Sequence, residues 1–240
     1  MSKRLAVAVL ALVNVALVAR AEESALPDVE GLLSPRALPS PSRGRSLPPI
    51  LRLAWADPSG AAGGLEALVR DEASSLLEAM GVRTRWRRAA SDELARAEEV
   101  RVIFLDRQAT RDGSLLVLGA TPPSFAVAPY VWIHVPSVRA TLGVPPGRPL
   151  RAMGVLERRV LGVALGRVVA HELVHAIAPG VPHGRGLMAA SLGARALAAS
   201  SIGVDPEVGG AVRAALRGGA RRLPADVAVL AASAGEEGVR

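Results

Sequence analysis

His171-Glu172-Leu173-Val174-His175-Ala176-Ile177-Ala178-Pro179-Gly180-Val181-Pro182-His183 is the stretch on which the reading of this chain turns. On a helix, positions i and i+4 lie on one face, so the imidazoles of His171 and His175 can converge on a single ion. Glu172, one step round, points beside that ion, where a general base for a metal-bound water is needed. Pro179 and Gly180 stop the helix, because proline cannot donate the helical bond and glycine permits a left-handed exit. The turn lets the chain double back and offer His183 as a third ligand. The whole protein has four histidines, and three of them fall inside these thirteen residues. The pattern reads as a zinc site. The rivals for the third position are Asp205 and Glu207, which could come back from the next helix but lie in no matching local motif.

The composition narrows what surrounds this site. At 240 residues the chain suits one domain with tails and can bury a sizeable core. Aromatic residues make up 2%, so that core must be built mainly from Ala, Val and Leu. The formal charge of +7 would suit a nucleic-acid partner. Yet Lys3 is the one lysine, the other basic residues are arginines in an Ala-, Gly- and Pro-rich chain, and aromatics to stack on bases are nearly absent. We therefore expect no nucleic-acid partner. There is no cysteine, which excludes disulfides, thiolate zinc ligands and a thiol nucleophile.

Residues 1–21 read as a secretory signal. Lys3 and Arg4 precede an apolar run from Leu5 to Val18, and Ala19-Arg20-Ala21 supplies an A-x-A cleavage site. That run is too short for a comfortable membrane span, so no stable span is expected after cleavage; an uncleaved N-terminal anchor is the alternative. The expected location is secreted or periplasmic. Residues 22–49, rich in Pro, Ser and Arg, read as a linker or leader, with a short pro-segment as the alternative.

The folded domain is expected over residues 50–222, with 223–240 as a C-terminal tail. Ile50 to Ala56 reads as a strand. Leu65, Leu68, Val69, Leu76, Leu77 and Met80 recur at helical spacing, predicting a helix over 64–80. Arginines alternate with Val, Thr and Trp over 82–87, a strand with one wet face whose charge needs no ligand. A short helix around 91–97 and an apolar strand from Val100 to Leu105 follow. Ser114 to Leu118 and Tyr130 to Val135 read as two more strands, separated by a loop around Pro122-Pro123. His134, in the second, is read as a surface or hydrogen-bonded residue rather than a ligand, and Tyr130 as a packing residue. Pro149 opens a long helical region to about Ala178, in which Gly154, Gly162 and Gly166 mark bends or close packing. Asp205-Pro206-Glu207 is a helix start.

With its third histidine past a glycine-containing turn and Gly186-Leu187-Met188 beyond, the His171-Glu172-x-x-His175 motif resembles the metzincin branch of the zincin metallopeptidases. The usual step from second to third histidine there is six residues with glycine in the middle. Here the step is eight and Gly180 is displaced accordingly. Secreted bacterial metzincin-like proteins with this longer turn are the match. The motif likeness covers about residues 165–190, and the remainder agrees in its order of strands and helix.

The resemblance implies an α+β fold, a twisted mixed β-sheet packed on a long active-site helix, with a smaller helical C-terminal part. It implies Zn²⁺ held by His171, His175 and His183, with Glu172 as the general base in hydrolysis of a peptide or protein substrate. Met188 would correspond to the methionine turn beneath the metal, a plain core methionine being the other reading. Zincins of this kind lay the substrate along a sheet edge; Ser114–Leu118 is the first expected edge and Tyr130–Val135 the second. Against the endopeptidase stands a non-catalytic secreted or envelope-tethered protein that keeps the fold and binds zinc or a partner without proteolysis. Retention of Glu172 favours the enzyme, since a structural site has no use for it.

Overall fold

Strands joined through a helix, as Ile50–Ala56 and Arg83–Arg88 are, must cross over and pair in parallel. They do so in a computed structural model that describes residues 47–218 apart from 91, 92, 94, 95, 97, 112–114, 123–128 and 146. The signal at 1–21, nearly all of the leader, most of the helix expected at 91–97 and the tail at 223–240 lie outside the described residues, as does the domain's expected end at 222.

The strands are β1 (Ile50–Ala56), β2 (Arg83–Arg88), β3 (Glu99–Leu105), β4 (Ala109–Arg111), β5 (Leu115–Val117), β6 (Gly119–Ala120) and β7 (Tyr130–His134). The helices are α1 (Glu66–Ala79), α2 (Val135–Thr141), α3 (Val155–Ile177), α4 (Ala194–Ala198) and α5 (Pro206–Arg217). Among the described residues a five-stranded mixed sheet runs in the order β2-β1-β3-β7-β6. Its first four strands are parallel and β6 is antiparallel to β7. Leu53, Val102, Phe104, Val131 and Ile133 are fully buried and join one core with Val69 and Leu77 of α1 and Leu161 and Leu165 of α3. Of the few aromatics, Trp55 and Phe104 meet with ring centres 4.0 Å apart.

The arginine strand needs no ligand because carboxylates answer it. Arg87 pairs with Glu99 at 2.6 Å and Glu93 at 2.7 Å, and Arg88 pairs with Glu66. Exposed arginines along this outer strand also discourage edge-to-edge pairing.

Two glycines set how closely the helices approach. A methyl group on Gly162 would lie 2.5 Å from Leu68 Cβ, and one on Gly166 2.7 Å from Glu72 Cβ. The Gly162-x-x-x-Gly166 pair therefore serves α1–α3 packing, and 78% of the most apolar window of α3 is buried in the fold. On the same helix Arg167 is 1% exposed. It pairs with Glu72 at 2.8 Å and donates to the carbonyls of Ala196 and Leu197 at 2.7 and 3.2 Å, tying α1, α3 and α4 together. A buried charge survives only where it is paired and hydrogen-bonded in this way.

One expectation is sharpened and two are corrected. The helical region from Pro149 breaks at Gly154, one of the glycines expected to mark a bend: Leu150–Ala152 is a 3₁₀ turn, and α3 begins after Gly154. The Gly154 N–H is capped by the Glu157 carboxylate at 2.8 Å, which fixes the new start. Of Ser114–Leu118, Ser114 lies outside the described residues, and the rest is not the edge of the main sheet among those described. β5 pairs with β4 in its own two-stranded ribbon, and the chain runs on into β6. Nor is Tyr130–Val135 an edge, since β7 lies between β3 and β6 and Val135 already opens α2. Among the described residues the edge beside α3 is the two-residue strand β6.

Candidate metal centre

His171 and His175 lie one turn apart on α3 and so share its face. The helix ends at Ile177, and a turn closed by the Val181 N–H to the Ala178 carbonyl at 2.9 Å reverses the chain. The Gly184 N–H then bonds the Met188 carbonyl at 2.7 Å, which pins the segment beside His183 to the 3₁₀ turn Gly186–Met188. The longer loop is thus anchored at both ends, and it delivers His183 to the other two histidines.

The three imidazoles offer one nitrogen each, and these atoms lie within 4.8 Å of one another. His175 Nε2 and His183 Nε2 are 3.2 Å apart. A tetrahedral zinc with nitrogens at 2.0–2.1 Å would separate them by roughly 3.3–3.4 Å. The rings of His171 and His183 are nearly parallel at 16°, and that of His175 stands across both. Three imidazoles are a donor set of the kind zinc takes, and the His175–His183 pair already stands near that spacing.

His171 Nδ1 lies 2.8 Å from the Leu187 carbonyl. Donation to that carbonyl places the proton on Nδ1 and leaves Nε2 free to bind a cation. Burial holds the His171 pKa below its ordinary value, the Leu187 contact opposing it, and His183 depresses it further. Burial also lowers His175, to about 4, helped by the other two histidines. Both rings are therefore neutral at ordinary pH, as ligation requires.

Glu172 is 8% exposed and stands outside this set. Its Oε2 accepts from the Thr121 hydroxyl at 2.9 Å, and its stem lies against Gly119 of β6. Burial raises its carboxyl to about 7, with the Thr121 bond pulling the other way. His134, the fourth histidine, is buried with Nδ1 3.1 Å from the Arg107 carbonyl and has no place in the cluster. Met188 is buried and, with His183, Arg185, Asp205, Glu207 and Val208, lines a groove of about 450 Å³. The Asp205 carboxylate is occupied as the cap of α5, accepting from the Glu207 N–H at 2.8 Å.

Sequence reasoning missed the Leu187 carbonyl, Thr121 and Gly119. For the first a signal existed: Gly186 has φ +59°, and a Cβ there would overlap the Gly203 carbonyl oxygen, which accepts from the Leu187 N–H at 2.9 Å. Gly186→Ala is accordingly expected to cost about 1–3 kcal/mol through backbone strain and to weaken zinc binding by moving the Leu187 carbonyl from His171. Chemical unfolding of the metal-free protein and a zinc competition titration would measure the two effects.

A scan against protein-family models finds no match, and neither does a search of curated proteins. Among solved structures the chain is similar to archaemetzincin from Methanopyrus kandleri, at 15% identity and a TM-score of 0.47, over 70% of this chain and 96% of that one. A likeness at that level leaves the function to rest on the site itself.

Proposed function

We propose that the chain is an exported, zinc-dependent metalloendopeptidase of metzincin-like type, with Glu172 as its general base. The observation that carries this reading is the meeting of three imidazoles beside a buried carboxylate that is not one of the ligands. A structural zinc site would close its fourth position and would not need such an acid.

His171, His175 and His183 would hold the ion, with the Leu187 carbonyl fixing the His171 ring. Zinc held by these three imidazoles would supply Lewis acidity and lower the pKa of the attacking water. Glu172 accepts the proton released as the peptide carbonyl is attacked and returns it to the leaving amine. β6, whose Gly119 touches Glu172, is the sheet edge along which an extended peptide would add as a strand. The groove beside His183 would take a substrate side chain. Export is supported by the residue pattern at 1–21, and a protein or peptide substrate by the place of β6 at the end of the sheet among the described residues.

The purified mature protein is expected to carry about one zinc per chain. It should cleave unfolded protein, lose that activity with its metal under a chelator, and regain it on zinc addition. Metal content and peptide release would be followed together. Stoichiometric zinc without hydrolysis would favour the non-catalytic binding protein, and absence of zinc would remove the metallopeptidase.

A further inference from the structure

Glu172 and Thr121 are 51 residues apart in sequence, yet their side chains meet where the edge of the sheet touches α3. The Thr121 hydroxyl stands 2.9 Å from Glu172 Oε2 and 3.0 Å from the main-chain carbonyl oxygen of the same residue. Two residues earlier, Gly119 leaves room that no other residue would leave. A Cβ at 119 would lie 2.6 Å from Glu172 Cγ and 2.9 Å from Oε1.

We propose that Thr121, with Gly119 as the wall behind it, is a positioning residue that holds the Glu172 carboxylate in its working rotamer. The inference rests on reading Glu172 as the general base. A buried carboxylate on a short stem has several staggered positions, and a base is effective in only those that bring an oxygen within hydrogen-bond reach of its proton. Contact with Gly119 limits the stem from one side, and the Thr121 hydroxyl fixes one oxygen. That hydroxyl has one proton and two acceptors at nearly equal distance. It can therefore pass from the carboxylate to the main-chain carbonyl and leave no buried donor unpaired while Glu172 moves its proton. Thr121 orients the base without touching substrate.

The test compares Thr121→Val, which keeps the shape and removes the hydroxyl, with Thr121→Ser, which keeps the hydroxyl. Thr121→Val is expected to lower kcat roughly 10–100-fold, the worth of one hydrogen bond to a charged group. KM and zinc content should stay unchanged, and Thr121→Ser should recover most of the loss. Crystals of metal-free Thr121→Val should show the Glu172 carboxylate away from its wild-type position, a readout independent of activity. A Thr121→Val enzyme with wild-type kcat and an unmoved carboxylate would overturn the proposal. Should that variant fail to fold, Gly119→Ala probes the contact from the other side: a kcat loss at constant zinc content supports it, and an unchanged kcat overturns it. Glu172→Gln run in parallel separates the two levels. If Glu172→Gln is inactive and Thr121→Val is not impaired, only the positioning role fails; if Glu172→Gln is fully active, the base assignment itself fails.

Discussion

Replacing Glu172 by glutamine is expected to leave about one zinc per chain while lowering peptide hydrolysis by roughly 10²–10⁴-fold, the usual worth of a general base. The amide keeps the size of the side chain, and its carbonyl oxygen can still accept from Thr121, so the packing against Gly119 survives. What it loses is the ability to take a proton. The three imidazoles are untouched, because Glu172 is not one of the converging ligand groups. Metal analysis and kcat/KM on one peptide, measured on the same preparation, give both halves of the result. Undiminished hydrolysis by the variant would remove Glu172 from the mechanism.

His183→Ala is expected to weaken zinc binding by more than the roughly 10–100-fold typical of losing an outer-shell partner, since a direct ligand disappears. His171 and His175 remain on α3, and two imidazoles make an incomplete zinc site. The fold should survive, because the loop is held by main-chain bonds at Val181 and Gly184 and not by the histidine, which is exposed. Competition with a chelator of known affinity at fixed pH measures the change. Unchanged affinity would pass the third position to Asp205 or Glu207, which line the same groove.

The parts of this site that sequence revealed are those set by local geometry. The i, i+4 relation of His171 and His175 needs only a helix, and the Pro179-Gly180 stop needs only the missing N–H of proline. The strands β1 and β3 and the helix α1 were legible for the same reason, since their apolar periodicity runs over many residues. Tertiary approach was not legible. β6 is two residues long, too short to carry an alternation, and Thr121 finds Glu172 only because β6 pairs with β7 above α3. The Leu187 carbonyl acts through its backbone, which any residue type would supply. The partners of Arg167 were not legible either. This arginine is buried because Glu72, 95 residues away, and two carbonyls at the end of α4 meet it there. Gly154 was legible as a bend in the helical region, while the capping carboxylate of Glu157 that sets the start of α3 was not.

Crystals of the zinc-loaded protein, with anomalous scattering recorded across the zinc edge, test the account most directly. The expected result is a single peak 2.0–2.1 Å from one nitrogen each of His171, His175 and His183, with an exchangeable water completing a tetrahedron. A peak that omits His183, or one whose fourth position is filled by a protein side chain, would contradict it.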